Sequence, residues 1–143
     1  MRGFTTIELI VVLLVMAVLS ALAIPRLTDR SALQERGARD QLRAMLTYSR
    51  KIAITQQRDV CVLTTPTQAR AVYTAAGACA PALAVVDPGG NGAYRLDMPL
   101  GITLAGAALV RFNARGQLVP AADQTLFVGV LALTVARETG LVL

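Results

Sequence analysis

An unbroken apolar run near the N-terminus most constrains what this chain can fold into. From Leu9 to Ile24 there are sixteen residues, and Ser20 is their only polar member. Extending the run back to Phe4 gives 21 residues, close to the roughly 20 that a helix needs to cross a bilayer. We therefore expect residues 4–24 to form an apolar helix of membrane-spanning length.

Glu8 lies at the N-terminal end of this apolar run, and its negative charge needs a positive partner. A charged side chain inside hydrocarbon costs about 2.5–3.5 kcal/mol on insertion scales, so the sequence predicts a compensating positive group nearby. The run itself leaves two ordinary alternatives open. It is compatible with an uncleaved signal anchor, or with a secretory signal peptide that is cut after the small residues of Ser20-Ala21-Leu22-Ala23.

A second, polar helix is predicted over residues 25–58. Its apolar residues recur at three- and four-residue steps, a spacing typical of an amphipathic helix with one buried face. Pro25 cannot donate the backbone hydrogen bond of a helix and clashes with the preceding turn, so we expect it to kink the helix or to end one helix before the next. The predicted core face consists of Leu42, Met45, Leu46, Ser49, Ile52 and Ala53.

The remaining residues, 59–143, are predicted to form a strand-rich head. Short β-branched segments alternate there with turn signals such as DPGGNG and NARG, which is the pattern of antiparallel hairpins. A long helix beside such a sheet predicts an α+β fold. The expected strands are 60–65, 70–74, 83–86, 93–96, 102–104, 108–112, 117–119 and 126–136, and residues 141–143 follow a last turn.

Charge and composition argue against catalysis. The chain has 143 residues and no histidine, which removes the usual general base and the commonest metal ligand. The acids of the head are scattered over turn-like segments, at Asp87, Asp97, Asp123 and Glu138. A signal-anchored hydrolase would need a nucleophile with a base, or paired carboxylates in a pocket. We therefore expect no enzyme, no metal site and no cofactor.

The net charge of +5 belongs to the second helix and not to the head. Residues 26–58 hold eight basic and three acidic side chains, whereas residues 60–143 hold five basic and four acidic ones. Nucleic-acid binding requires clustered positive charge, and strand binding also uses stacked aromatic rings. We interpret Arg111, Arg115 and Arg137 as solvated hairpin arginines and expect no nucleic-acid partner.

Cys61 and Cys79 both lie in the predicted head. If the head is exported, the two thiols can form a disulfide, because oxidising compartments preserve such bonds. If the head stays in a reducing compartment, both are small buried hydrophobic residues. The sequence alone leaves both possibilities open.

The N-terminal segment GFTTIEL, followed by the apolar run and a proline, resembles the type IV prepilin family. The matching positions are Gly3, Phe4, Glu8 and Pro25. The resemblance implies that residues 1–3 are a leader, that a prepilin peptidase cuts between Gly3 and Phe4, and that the new amine of Phe4 is methylated. It also implies the pilin fold, in which the helix packs on an antiparallel sheet.

This resemblance supplies a partner for Glu8. Cleavage creates a positive amine at Phe4, and pairing with it would offset two charges that are each costly when buried alone. Family behaviour implies that the amine belongs to a neighbouring subunit, which makes Glu8 an assembly residue. An intramolecular alternative stays open, because residues four apart share a helix face and a helix N-terminus favours negative charge.

Further segments indicate the kind of pilin. ARDQLRAMLTYSRKIAITQQRDVCVL and VRFNARGQLV resemble secretion pseudopilin H and FimT-type minor pilins, and VARETGLVL resembles minor pilins of mannose-sensitive haemagglutinin pili. The implied function is a minor pilin of the haemagglutinin type. A type II secretion pseudopilin is the alternative, and a DNA-uptake minor pilin comes third. The implied partners are prepilin peptidase, other pilin or pseudopilin subunits and inner-membrane lipid, with a single membrane pass, a periplasmic head and later a place in a pilus or pseudopilus.

Overall fold

The structure is a computed structural model. It describes residues 5–27, 30–120 and 122–143, with the backbone alone for residues 20–27 and 30. The chain divides into two compact units, Met1–Leu33 and Gln34–Leu143.

Helix α1 spans Thr6–Leu27 and consists largely of aliphatic residues. Its large apolar side chains from Ile7 to Leu19 are between 46% and 67% exposed. Apolar residues occupy every side of the helix, so it has no polar face opposite an apolar one. No helix in the described part of the chain meets the combined length and apolarity needed to cross a membrane.

Helix α2 spans Arg30–Thr55 and packs one face on the head. The predicted core face is confirmed: Leu42, Met45, Leu46, Ser49 and Ala53 are buried, and Ile52 packs half-buried against the same core. The apolar positions recur every three or four residues, so they line one side of the helix and leave its charged residues on the others.

The larger sheet is antiparallel and has the strand order β3-β2-β1-β6-β7. Strand β4 pairs with the first part of β2 and lies outside this order. The core face of the sheet presents Val60, Val62, Ala71, Val110 and Phe112 to the hydrophobic core that α2 completes. The strands are β1 Val60–Thr65, β2 Gln68–Ala75, β3 Ala78–Ala84, β4 Arg95–Asp97, β6 Leu109–Phe112 and β7 Leu118–Val119.

The smaller sheet has the order β5-β8-β9, with β5 Leu104–Gly106, β8 Gln124–Val128 and β9 Leu131–Val135. The prediction of one strand over 126–136 was wrong, because Gly129 adopts a φ of 58° and turns the chain back on itself. Leu126, Val128, Leu133 and Val135 alternate inward across this hairpin and are buried. Residues 141–143 extend the sheet through a single bridge between Val135 and Val142.

Three predicted strands have shifted bounds. Residues 83–86 were expected to form a strand, but β3 begins earlier, at Ala78, and includes Pro81. Alanine and proline are poor strand formers, so their segment ACAPALA does not look like a strand in sequence. The predicted strands 93–96 and 102–104 correspond to β4 and β5, which both begin two residues later; β4 ends one residue later than predicted and β5 two residues later.

The hairpin between β6 and β7 has the expected turn. Gly116 has a φ of 78° and donates its backbone N–H to the carbonyl of Asn113 at 2.8 Å. The Asn113 side-chain oxygen also accepts the backbone N–H groups of Arg115 and Gln117, each at 2.9 Å. A Cβ on Gly116 would lie 2.6 Å from the side chain of Ile54, so the turn needs glycine both for its φ and for its approach to α2.

Candidate assembly site

The predicted processing residues fall outside the described part of the chain. Gly3 and Phe4 precede the first described residue, Thr5, so the cleavage between them and the methylation of Phe4 remain predictions. Pro25 lies within the helical backbone of α1, which continues to Leu27. Its role as a kink therefore also remains a prediction.

Glu8 lies in the first turn of α1, next to the residue that caps the helix. The carboxylate oxygen of Glu8 accepts the backbone N–H and the hydroxyl of Thr5, both at 3.5 Å. In return, the Thr5 hydroxyl oxygen accepts the backbone N–H of Glu8 at 3.4 Å. Thr5 and Glu8 thus form a capping box, in which a threonine and a glutamate three residues later satisfy each other's free N–H groups.

The capping contacts of Glu8 are long. Good hydrogen bonds between nitrogen and oxygen measure about 2.7–3.2 Å, so separations of 3.4–3.5 Å indicate weak interactions. Glu8 is also exposed. Its carboxylate therefore has a local partner in the single chain, as the intramolecular alternative expected, but that partner holds it only loosely.

The surface of α1 is an apolar cylinder next to this capped end. Leu13, Leu14 and Met16 are each about 60% exposed, and soluble single chains rarely expose so much contiguous apolar surface. Covering such a surface requires lipid or other apolar helices. The described part of α1 therefore combines exposed apolar side chains with one carboxylate near its N-terminal end.

In the head, Cys61 and Cys79 form a disulfide. Cys61 lies on β1 and Cys79 on β3, with β2 between them in the sheet. Strands that flank a third strand lie about 9.5 Å apart, yet the two Cα atoms are 5.9 Å apart. The start of β3 therefore curls over the face of the sheet that points away from α2.

An ion pair supports the same corner of the head. Arg111 donates from its Nε and Nη2 to one carboxylate oxygen of Asp59, at 3.0 and 2.6 Å, and from its Nη1 to the carbonyl of Gly77 at 2.8 Å. It therefore ties β6 to the start of β1 and to the β2–β3 turn. The interpretation of Arg111 as a solvated arginine was wrong, since only 24% of its side chain is exposed.

Helix α2 contributes three polar side chains that contact loops of the head. Glu35 accepts the backbone N–H of Val130 in the β8–β9 turn. Arg43 donates to the carbonyl of Val142 at 3.1 Å, and Arg50 donates to the carbonyl of Gly116 at 3.3 Å. These contacts fix the position of α2 on the head beside its buried apolar face.

The described residues offer little for chemistry. They contain no group of three histidine, cysteine or acidic side chains that could hold a metal ion. An open cleft of about 410 Å³ lies beside the β6–β7 hairpin. Its polar side chains are Asn113, Gln117, Arg137 and Glu138, a set without a nucleophile–base pair or two facing carboxylates.

Comparison with known proteins assigns the fold. No protein-family model matches the chain, and no curated protein matches it in sequence. Two crystal forms of FimU, a type IV minor pilin of Pseudomonas aeruginosa strain PAO1, are similar in structure, each with a TM-score of 0.58 and 20% sequence identity. The matches cover 76% and 79% of this chain and 90% and 88% of FimU. The chain therefore shares the α+β fold of a type IV minor pilin, with a helix packed on an antiparallel sheet.

Proposed function

We propose that this chain is a minor type IV pilin, a structural subunit that helps to initiate or assemble a pilus. The observation that carries the proposal is the pairing of an exposed apolar helix with a loosely held carboxylate at its N-terminal end, on a protein with the minor pilin fold. The mechanism is non-enzymatic and works through contacts with other subunits.

The proposed sequence of events begins with removal of residues 1–3. Prepilin peptidase cuts between Gly3 and Phe4, and the new amine of Phe4 is methylated. Until assembly, residues 4–24 hold the subunit in the inner membrane. During assembly, lipid around this helix is exchanged for neighbouring helices, which supply equally apolar contacts.

Glu8 then changes partner. In the single chain its carboxylate contacts Thr5 at the upper limit of hydrogen-bond distance. A positive amine from a neighbouring subunit is a stronger partner, because it brings a full opposite charge to the carboxylate, whereas the Thr5 donors are neutral. This change of partner breaks the two weak contacts with Thr5 and sets the register of one helix against the next.

The disulfide supports a periplasmic head. Disulfides persist in oxidising compartments such as the bacterial periplasm and are rare in the cytosol. In this proposal residues 25–58 continue the helix beyond the membrane and residues 59–143 form the head that the filament displays.

The decisive experiment compares the wild-type chain with two N-terminal variants, all expressed with a prepilin peptidase. The wild-type chain should lose Met1-Arg2-Gly3 and gain one methyl group in its intact mass. Glu8→Gln keeps a side chain that can complete the capping box but removes the charge, so it should be processed and yet fail to enter filaments. Thr5→Ala removes the cap and keeps the charge, so it should enter filaments normally.

Two results would refute the proposal. An unchanged mass after co-expression would indicate an ordinary signal anchor. Equal incorporation of Glu8→Gln and wild type would show that the charge of Glu8 has no role between subunits, and a defect in Thr5→Ala alone would show that capping is the whole function of the pair.

The assignment to a haemagglutinin-type pilus rests on the segment VARETGLVL. Deleting the chain from its host distinguishes the three systems. Loss of the pilus supports the proposal, loss of protein secretion supports the pseudopilin alternative, and loss of DNA uptake supports the third.

A further inference from the structure

Four arginines form a stripe along α2. Arg36, Arg39, Arg43 and Arg50 follow one another at three-, four- and seven-residue steps. In a helix with 3.6 residues per turn they fall within an arc of about 60° and extend over about 21 Å. These four side chains are called the arginine stripe below.

The arginine stripe has no carboxylate partner among the residues that the structure describes. The ion pairs found there are Arg95–Asp97, Arg111–Asp59 and Arg137–Glu138, and all three lie in the head. Glu35, on α2 itself, is directed to a backbone N–H in the β8–β9 turn. Asp40, the other acid of α2, lies four residues after Arg36 and three before Arg43 but forms no ion pair among the described residues, so the four positive charges on this side of the helix are only partly offset.

The arginines of the stripe use only part of their hydrogen-bonding capacity within the chain. Arg43 and Arg50 each give one hydrogen bond to a backbone carbonyl of the head, although a guanidinium carries five N–H donors. Arg39 is half-buried, and its Nε is buried without a hydrogen-bond partner in the described chain. A buried donor without a partner is costly, and because this nitrogen is buried, an outside partner would have to bind the other nitrogens of the Arg39 guanidinium.

We propose that the arginine stripe docks an acidic helix of another filament subunit. The inference rests on the proposed function, since it requires a neighbouring subunit. Arginine pairs well with carboxylates because its planar fork offers two parallel N–H donors. A partner helix with carboxylates at matching three-, four- and seven-residue steps would meet all four arginines along one line.

Other occupants fit the stripe less well. Arg50 lies about 30 Å along α2 from its first residue, well beyond the roughly 8 Å over which physiological salt screens exposed charges, so lipid headgroups at the start of α2 would not reach it. A second copy of this chain is a poor source of an acidic helix, because its own α2 carries only two acidic residues, Glu35 and Asp40, against six basic ones. Single-stranded nucleic acid would need stacking aromatics, and none of the four positions is aromatic.

The test uses the full chain in detergent micelles and two labelled helical peptides. One peptide carries four glutamates at the spacing of the arginine stripe, and the other has the same composition with its glutamates distributed around the helix. Fluorescence anisotropy measures the affinity of each. The matched peptide should bind about tenfold more tightly, and the difference should shrink as salt is added.

Two charge reversals on α2 provide the matched controls. Arg36→Glu alters an exposed arginine inside the stripe, and Lys51→Glu alters an exposed cation of the same helix outside the arc. Arg36→Glu should weaken binding of the matched peptide by about tenfold, and Lys51→Glu by less than about threefold. Circular dichroism should show the same helical signal for both, which verifies that each variant is folded.

Three results would overturn the inference: equal affinity for the two peptides, equal effects of the two reversals, or tighter binding of a DNA duplex than of the matched peptide at physiological salt. The test is independent of pilus assembly. If the chain binds the matched peptide more tightly than the other peptide but never enters filaments, the inference about the arginine stripe holds and the proposed function fails. If the chain enters filaments but the peptides are not discriminated, the inference alone fails.

Discussion

Helices α1 and α2 show opposite ways of placing apolar residues. In α1 the aliphatic side chains from Ile7 to Leu19 lie on every side of the helix and remain exposed. In α2 they occupy one face, where Leu42, Met45 and Leu46 are completely buried against the head. The same residue types therefore play two roles: in α2 they stabilise this chain, whereas from Ile7 to Leu19 of α1 they present an apolar surface.

The polar residues of the two helices differ in the same way. Glu8 of α1 has only weak contacts with its own first turn. Glu35, Arg43 and Arg50 of α2 all reach across to backbone groups of the head. Contacts within the chain therefore determine the position of α2, whereas the carboxylate of Glu8 in α1 is held only weakly.

The largest expected effect tests this contrast directly. Leu46→Ala should lower the free energy of unfolding of the head by about 2–5 kcal/mol, because it removes buried methyl groups and leaves a cavity. Leu13→Ala makes the same change at an exposed position of α1 and should shift that free energy by less than about 0.5 kcal/mol. Chemical denaturation of the full chain in detergent measures both values. If the two substitutions had equal effects, the distinction between the helices would fail.

A second prediction concerns the corner of the head that the Cys61–Cys79 disulfide and the Arg111–Asp59 ion pair hold together. Replacing Cys61 and Cys79 together by alanine should lower the free energy of unfolding by about 2–4 kcal/mol, since the bond closes a loop between residues 18 apart. The β2–β3 turn should stay in place, because Arg111 still binds Asp59 and the Gly77 carbonyl.

Hydrogen exchange and denaturation together measure this prediction. The helical signal of α1 should be the same in wild type and in the double alanine variant. Adding Arg111→Met should release the turn and increase exchange of its amides. An unchanged free energy of unfolding in the double variant would mean that the ion pair alone holds this corner.

Local patterns allowed much of this fold to be predicted. The buried face of α2 follows from apolar residues at three- and four-residue steps, and β1 and the β6–β7 turn follow from short-range signals. The single strand expected over 126–136 was wrong because apolar residues on both sides hid the turn at Gly129. A glycine between two valines gives a weak turn signal when the flanking strands are equally hydrophobic.

The contacts that the sequence did not reveal are those between distant residues. Asp59 and Arg111 are 52 residues apart, and no local pattern couples them. The choice between a disulfide and free thiols also depended on how β3 curls over the sheet. The Thr5–Glu8 capping box is different, since its Thr-x-x-Glu spacing is visible in sequence and was overlooked beside the stronger membrane signal.

The smallest expected effect is a pH dependence of the stability of the head, and it arises at Tyr94, which packs against Tyr48 of α2. The two rings meet edge to face, with centroids 5.5 Å apart. Burial raises the pKa of Tyr94 above its ordinary value of 10.0, and the negative charge of Asp87 and the neighbouring Tyr48 raise it further. The folded head thus resists ionisation of Tyr94 more than the unfolded chain does.

The sign of the pH effect follows from this shift. The stability that comes from keeping Tyr94 neutral is fully present below pH 10 and is lost as pH rises through the higher folded pKa. Between about pH 9 and 12 the head should therefore lose stability more steeply in wild type than in Tyr94→Phe, which cannot ionise. Denaturation at a series of pH values measures the two slopes. Parallel slopes would show that Tyr94 ionises in the folded head as readily as in the unfolded chain, and that its packing on α2 is looser than that of the aliphatic core.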